Sequence, residues 1–197
     1  MSTEAYGHPE TRARILTATR ELIAVHGARL KLSQVAQRAG VSRQALYLHF
    51  GDRQGLLLAL VAHMDQTLQL GESLAHVHAA PTGAELLRRA MQLNTEFWAA
   101  VRPVAQVLEA AQYHDEALGA AWRDRMRLRR RTFAAMIERL AERGELADAW
   151  TPETATALLY AVAHFDTWRE LTEHLGFSDD AYAEAVGQLL CRALLAD

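Results

Sequence analysis

The sequence contains one cysteine, Cys191, among its 197 residues. A single thiol can neither form a disulfide within the chain nor supply a cysteine-rich metal cluster, so the apolar core must hold the fold together. Cys191 is expected to be a small buried apolar residue of the last helix, in preference to a redox sensor. The absence of a disulfide framework is typical of proteins from a reducing compartment.

Long apolar runs and proline are also scarce. No run of eighteen apolar residues is present that could span a bilayer. The first ten residues lack the basic start and the apolar segment of a signal peptide, which predicts a cytoplasmic protein without a membrane partner. Only four prolines interrupt a chain rich in Ala, Leu, Arg and Glu. This composition predicts an all-α fold of about nine helices.

Residues 33–53 have the spacing of two short helices joined by a tight turn. Ala36 is small enough for two helices to cross closely, and Gly40 can adopt the positive φ that ends the first helix. Leu46 would bury the second helix, and Ser42 stands where an N-cap is required. The pattern predicts a helix-turn-helix.

The outward face of the second of these helices, about 43–50, carries side chains that can read bases. At 100° per residue, Gln44 and Leu48 lie opposite its buried face. Gln44 can pair bidentately with adenine and Arg43 with guanine, while an exposed Leu48 or Ala45 can meet a thymine methyl group. The alternative is an ordinary surface helix whose polar groups face water.

Charge is divided unevenly along the chain. Residues 1–53 contain eight basic and four acidic residues, whereas residues 54–197 contain thirteen and twenty. The excess of positive charge therefore coincides with the helix-turn-helix. An N-terminal domain facing phosphates and an acidic body facing solvent would carry this asymmetry.

The wider stretch from Thr11 to Met64 resembles the N-terminal domain of the TetR family of bacterial transcriptional regulators. The matching positions are Ile15, Leu16, Gly27, Val35, Ala36, Ala39, Gly40, Val41, Ser42, Leu46, Tyr47, His49, Phe50, Arg53, Leu56 and Leu57. The resemblance implies that Tyr47, His49 and Arg53 contact phosphates, which fix the register on DNA. It also implies a homodimer that binds double-stranded operator DNA and a small-molecule effector, without a cofactor.

Two positions depart from the family pattern. The family usually has Thr or Ser near Lys31, where it caps helix 2 and touches phosphate, whereas the nearest hydroxyl here is Ser33. We therefore expect helix 2 to start later and Lys31 to supply the phosphate contact. Gln44 replaces a frequent Gly and adds a base-reading side chain. The predicted DNA-binding residues are Lys31, Ser33, Ser42, Arg43, Gln44, Ala45, Tyr47, Leu48, His49 and Arg53.

Apolar periodicity and capping signals predict the other helices. They are helix 1 over Pro9–His26, helix 4 from Gly51 to Leu74, helix 5 from Thr82 to Val101, helix 6 from Pro103, helix 7 from Asp115 to Gly144, helix 8 from Thr151 to about His174, and helix 9 from Ser178. Helix 4, about 25 residues and roughly 37 Å long, is expected to link a DNA-binding domain of residues 1–53 to a body of residues 54–197.

Helices 8 and 9 carry more apolar residues than one surface stripe requires. As in the family that the chain resembles, the surplus predicts that both helices pair with their twofold copies. The predicted dimerisation residues are Tyr160, His164, Trp168, Leu171, Tyr182, Val186, Leu189 and Leu190.

Polar and aromatic groups on apolar stripes predict a pocket among helices 5 to 8. The predicted lining residues are Met91, Asn94, Trp98, Trp122, Met126, Phe133 and Asp166. A buried Asp166 would require a partner, because an unpaired buried carboxylate is costly. For each residue taken alone, an ordinary place in the core is the favoured alternative.

No catalytic or metal site is predicted. His76 with His78, His114 with its acidic neighbours, and Glu170 with His174 have ligand-like spacing but no third partner nearby in sequence. The arginines of helix 7, namely Arg123, Arg127, Arg129, Arg130 and Arg131, are interpreted as a solvated face rather than a second nucleic-acid surface. The alternatives to a ligand-responsive regulator are a ligand-independent DNA-binding protein and a helical enzyme with an apolar pocket.

Overall fold

The structure is a computed structural model that describes residues 9–68 and 70–196, including ten α-helices and no extended strand within that part of the chain. The helices are α1 Pro9–His26, α2 Leu32–Ala39, α3 Arg43–Phe50, α4 Arg53–Thr67, α5 Leu70–His78, α6 Gly83–Ala111, α7 Glu116–Glu142, α8 Pro152–Val162, α9 Phe165–Arg169 and α10 Asp179–Leu194. A 3₁₀ turn at Gly27–Arg29 follows α1, and a π-helical turn at Glu170–His174 follows α9. The predicted all-α class is confirmed. No described helix combines the length and apolar character that a membrane crossing requires.

The helices form two compact units. The first lies within residues 9–68 and 101–123, and the second within residues 70–100 and 124–196. Both α6 and α7 therefore contribute residues to each unit. These are units of packing, and the functional division at residue 53 stays a prediction.

Local capping signals place several helix starts as predicted. Asp115 accepts a hydrogen bond from the amide of Leu118 at 3.0 Å before α7. Thr151 accepts from Thr154 before α8, and Ser178 accepts from the amide of Ala181 at 3.1 Å before α10. Such caps satisfy amides that the first turn of a helix leaves free.

The long helix predicted after Asp52 is wrong in its length. α4 ends at Thr67, and α5 begins at Leu70. The hydroxyl of Thr67 donates to the carbonyl of Met64 at 3.1 Å. A side-chain bond of this kind competes with the helical backbone pattern and accompanies the end of α4.

The predicted restart at Pro103 is also wrong, because α6 continues through it from Gly83 to Ala111. Proline inside a helix removes a backbone hydrogen bond and costs about 3 kcal/mol. Val101, Val104 and Leu108 around it are buried. Burying each such side chain contributes about 1.5–3 kcal/mol, which outweighs the local penalty.

The single helix predicted from Thr151 to His174 is interrupted. α8 ends at Val162, and His164 takes an extended conformation with ψ 156° before α9 starts at Phe165. The Nδ1 atom of His164 accepts from the amide of Asp166 at 3.4 Å, so this side chain caps the new helix.

The break leaves three successive carbonyls, at residues 161–163, without the backbone partner four residues on that an α-helix provides, although the carbonyl of Ala161 accepts from the amide of His164 at 3.4 Å. They accept hydrogen bonds from the Thr167 hydroxyl at 2.9 Å, the Tyr182 hydroxyl at 3.0 Å and the Trp98 indole at 3.0 Å. Two of these donors come from distant parts of the chain. The break therefore depends on tertiary contacts that local sequence does not reveal.

Cys191 is half-buried in α10 and is a free thiol. Its Sγ atom lies 3.7 Å from the carbonyl of Ala84, and burial raises its pKa. The expectation of a fully buried small residue is therefore met only in part.

Candidate functional site

A tight turn holds α2 and α3 as predicted. Gly40 has φ 66° and ends α2, while the amide of Val41 donates to the carbonyl of Ala36 at 3.0 Å. Leu46 is 1% exposed and Phe50 is buried, so one face of α3 is fixed against the other helices of the first unit. The opposite face must then point outward.

That outward face carries the predicted base-reading residues. Arg43, Gln44 and Leu48 are exposed, and Ala45 is half-buried. Leu48 is 61% exposed and Tyr47 is 42% exposed, which is unusual for residues of their size. An apolar side chain held in solvent on a helix with Arg and Gln matches the needs of a major-groove contact.

The N-terminus of α2 differs from the prediction. α2 begins at Leu32 rather than later, and Ser33 lies inside it with an exposed side chain. The amide of Lys31 donates to Oε1 of Gln34 at 3.0 Å, so Gln34 satisfies the amide of the residue that precedes α2. The side chain of Lys31 is exposed and available for a phosphate.

Three other predicted contact residues also have structural roles. The hydroxyl of Ser42 accepts from the amide of Ala45 at 3.0 Å and caps α3. An Nη atom of Arg53 donates to the carbonyl of Ala28 at 2.7 Å. The Nε2 atom of His49 is buried and has no hydrogen-bond partner among the described residues. A phosphate contact by His49 would therefore need its other nitrogen or a rearranged ring.

Sequence reasoning missed Arg12, which braces the end of α3. Its guanidinium donates to the carbonyl of His49 at 3.3 Å and lies 4.6 Å from the ring centroid of Phe50. A cation is favourable at a helix C-terminus, where carbonyls concentrate negative charge. No sequence spacing links α1 to this carbonyl.

Gln54 and Asp115 form another contact that the sequence did not predict. The side-chain amide of Gln54 donates to Oδ1 of Asp115 at 2.8 Å. Because Asp115 also caps α7, this hydrogen bond joins the start of α4 to the start of α7 within the first unit.

In the second unit, Arg129 occupies the centre of an aromatic cluster. Its guanidinium carbon lies 4.3 Å from the ring centroid of Trp98, 5.0 Å from that of Phe97 and 5.2 Å from that of Phe133. Its Nη2 atom donates to Oδ1 of Asn94. Burial lowers the pKa of Arg129 to about 10, so the group remains charged at neutral pH.

The interpretation of Arg129 as part of a solvated face is wrong. Arg123, Arg127, Arg130 and Arg131 are exposed as expected, but Arg129 turns inward. A sequence signal for this existed. Arg129 falls in phase with Trp122, Met126 and Phe133 on the apolar stripe of α7, so helical periodicity alone would have separated it from its neighbours.

The predicted ligand-lining residues fall into three groups. Met91, Asn94, Trp98 and Phe133 are buried in the second unit, and Met126 is half-buried there. Trp122 is buried in the first unit. The expectation that Asp166 is buried is wrong, because it lies exposed at the start of α9 and pairs with Arg169 at 2.7 Å.

The comparison with known proteins places these sites in context. A profile described as "Bacterial regulatory proteins, tetR family" matches residues 15–60. A helix-turn-helix transcriptional regulator of Mycobacterium tuberculosis is 32% identical over 91 residues, which cover 46% of this chain and 39% of that protein. The transcriptional repressor BepR of Brucella suis is 27% identical over 162 residues, covering 78% of this chain and 77% of BepR.

Residues 15–60 therefore match the TetR family, and the fold of the chain is similar to that of TetR-family regulators. A TetR-family regulator from Pectobacterium atrosepticum has a TM-score of 0.71 at 26% identity, covering 95% of both chains. A regulator from Saccharomonospora viridis, solved with choline, has a TM-score of 0.83 at 19% identity and covers 96% of this chain and 100% of its own. The chain spans about two fifths of the length of the M. tuberculosis relative.

The TetR profile covers the helix-turn-helix and most of α1 and α4. Every predicted DNA-contact residue, from Lys31 to Arg53, lies inside the matched segment. The predicted ligand and dimerisation residues lie outside it. Their roles therefore rest on the geometry of this chain.

Four predicted dimerisation residues do not form a free surface. Trp168, Tyr182, Val186 and Leu190 are buried within the single chain, so the expectation that one subunit cannot cover them is wrong. The break at His164 allows Trp168 to stack on Phe165, with ring centroids 5.9 Å apart. The remaining predicted residues, Tyr160, His164, Leu171 and Leu189, keep partial or full exposure.

The described residues, 9–68 and 70–196, contain no group of three or more His, Cys, Asp or Glu side chains that could hold a metal ion. The described residues thus present two notable groups of side chains, the exposed face of α3 and the aromatic cluster around Arg129.

Proposed function

We propose that this chain is a ligand-responsive, sequence-specific DNA-binding regulator of the TetR family that acts as a repressor. Two copies bind one near-palindromic operator through α3, in the cytoplasm, and release it when a small molecule binds the second unit. The observation that carries the proposal is the exposed face of α3, where Arg43, Gln44 and Leu48 stand opposite a buried face. Both the fold and the helix-turn-helix support binding rather than catalysis.

The proposed division of labour follows the side chains. Gln44 and Arg43 read base edges, while Tyr47 on α3 and Lys31 just before α2 hold phosphates. Arg53 and His49 are proposed to support phosphate binding mainly by fixing the corners around α3, because part of each side chain is committed or buried. Ser42 and Ser33 remain proposed contacts through exposed atoms.

Binding of a small-molecule effector is supported by structures of similar fold. The S. viridis regulator was solved with choline, and FadR of Bacillus subtilis was solved with stearoyl-CoA. We propose that Met91, Asn94, Trp98, Met126 and Phe133, all in the second unit, line an effector site of this chain, and that Trp122, which belongs to the first unit, is not part of it. Asp166 leaves this set because it is exposed and paired.

We propose that effector binding is coupled to DNA release through α6 and α7 as well as α4. Residues of α6 and α7 belong to both units, and the hydrogen bond from Gln54 to Asp115 joins the α7 start to α4. A ligand shifts this equilibrium only by its differential affinity for the two arrangements. Couplings of about 1–3 kcal/mol predict that operator affinity falls roughly 5- to 150-fold.

Replacing Gln44 with alanine is expected to change operator preference at one position in each half-site. Losing a bidentate contact to adenine should cost about 1–3 kcal/mol at that position. The measurement is selection of binding sites from a random DNA library, followed by titration of single-base variants. Gln92→Ala is the matched control, because Gln92 is exposed on α6 and bonds only to Glu96. An unchanged consensus for the Gln44 variant would contradict base reading.

Replacing Leu189 with aspartate is expected to convert a dimer to monomers at micromolar concentration. Leu189 is 54% exposed on α10, and a charge there would be costly to bury in a twofold interface. Sedimentation velocity measures the mass. Val25→Asp, at a residue 74% exposed on α1, is the control and should leave the dimer intact. A monomeric wild-type chain would contradict the proposed dimer and its pair of half-sites about 34–36 Å apart.

A further inference from the structure

We propose that the second unit binds an organic anion at Arg129, with an acidic group on the guanidinium and an apolar part on the surrounding aromatic side chains. The proposal rests on the proposed function, because it specifies the charge of the effector. Arg129 is one of the arginines that the sequence analysis interprets as a solvated face.

Arg129 lacks a counter-charge among the described residues. Arg129 donates to Oδ1 of Asn94 and, at 3.5 Å, to the carbonyl of Ala163, and both acceptors are neutral. Among the described residues, no carboxylate forms an ion pair with it. By contrast, the exposed Arg127 on the same helix pairs with Asp124 at 3.2 Å. A half-buried cation without a counter-ion is costly, and a binding role would explain its position.

Part of the Arg129 guanidinium remains accessible to a ligand. Nη2 makes both hydrogen bonds of the guanidinium, and the other two nitrogens make none to the described residues. Neither of those two is among the buried side-chain atoms that lack a partner, so both retain contact with solvent. A planar fork with free donors suits a carboxylate or a similar oxyanion.

Aromatic side chains surround the Arg129 guanidinium. Trp98 and Phe133 are buried, whereas Phe97 and Tyr160 keep part of their surface exposed near the guanidinium. Aromatic rings around a cation attract it without neutralising its charge. Small-molecule sites commonly combine such apolar walls with one or two placed polar groups. A ligand with an aromatic or aliphatic body and one acidic group fits this set.

The helix break after α8 fixes the orientation of the side chains around Arg129. The Trp98 indole and Tyr182 hydroxyl bind the carbonyls of Ala163 and Val162, and the side-chain amide of Asn94 donates to Tyr182 at 3.3 Å. Asn94 therefore presents its oxygen to Arg129 in a fixed orientation. The guanidinium is positioned before any ligand arrives, which reduces the entropy lost on binding.

Three probes with one ring system test the proposal, namely 2-naphthoate, 2-naphthamide and 2-naphthylmethylammonium. Calorimetric titration of the full chain without DNA, at fixed ionic strength and pH 7, should show naphthoate binding roughly 10- to 100-fold more tightly than the amide. The cationic probe should bind more weakly still. In Arg129→Met this preference for the anion should disappear, and in Arg129→Lys it should persist at a reduced level.

Arg127→Met is the matched control, because Arg127 is exposed two residues away on the same helix, and it should keep the anion preference. Circular dichroism verifies that each variant is folded. The proposal is wrong if the three probes bind equally, if none binds, or if Arg129→Met retains the preference. It is also wrong if Arg129→Met becomes monomeric and the wild type shows no preference for the anionic probe. An acidic group of a second copy of the chain would then be the counter-charge of Arg129.

Selection of operator DNA without any probe separates this test from the proposed function. Arg129→Met should select the same consensus as wild type, because α3 lies in the first unit. Normal DNA selection without anion preference would overturn the anion site alone. An anion preference without any selected DNA sequence would overturn the regulator proposal and leave the site standing.

Discussion

Replacing Gly55 with alanine is expected to destabilise the chain by about 3 kcal/mol and to weaken operator binding, because the added methyl group has no room. A Cβ atom at Gly55 would overlap the carbonyl oxygen of Phe50 and lie 3.2 Å from its carbonyl carbon. These are backbone atoms, so either the end of α3 or the start of α4 must move. The amide of Gly55 is also bound by the Asp52 cap at 2.8 Å, which resists the displacement.

The measurements for Gly55→Ala are urea denaturation and operator titration. Gly71→Ala is the matched control, since Gly71 lies in α5 and a Cβ there would meet no atom within 4 Å. Alanine should stabilise that helix by about 0.5–1 kcal/mol relative to glycine. If both variants changed stability in the same direction, steric overlap at the α3–α4 corner would be the wrong explanation.

Replacing Asn94 with leucine is expected to cost about 3 kcal/mol, while the double variant Asn94→Leu with Arg129→Met should cost much less. Leucine removes the oxygen that accepts from Arg129 and leaves a half-buried cation with one long hydrogen bond to Ala163. Removing the charge as well leaves an apolar pair among aromatic rings. The difference should appear as a coupling energy of about 2 kcal/mol in a double-mutant cycle.

Urea denaturation of the four proteins measures this coupling. The exposed ion pair of Asp124 and Arg127, on the same helix, provides the control cycle with alanine at both positions. Exposed pairs contribute about 0–1 kcal/mol, so its coupling should be small. Equal couplings in the two cycles would show that Arg129 is not more dependent on its acceptor than a surface arginine.

The sequence predicts features of this fold that depend on neighbouring residues. The caps at Ser42, Asp115 and Ser178 and the turn at Gly40 follow from side-chain chemistry within a few positions, and all four are confirmed. The exposed face of α3 was predictable for the same reason. Its exposed residues follow from one short helix with a clear buried side.

Features that depend on distant residues escaped prediction. The break after Val162 is stabilised by Trp98 and Tyr182, which no local pattern connects to it. α6 passes through Pro103 because packing outweighs a local penalty. The inward turn of Arg129 is a different case, because its helical phase with Trp122, Met126 and Phe133 is a local signal that the interpretation as a solvated face overlooked.

Because residues 101–123 pack in the first unit, that unit can finish folding only late in the synthesis of the chain. α1 to α4 are synthesised first, yet the compact unit to which they belong includes a segment that follows α5 and most of α6. Domains generally fold as units during synthesis, with N-terminal ones first. Here the helix-turn-helix is translated early but its unit is completed only after residue 123 leaves the exit tunnel. Newly made α4 must wait for roughly a further quarter of the chain before its partner Asp115 is available.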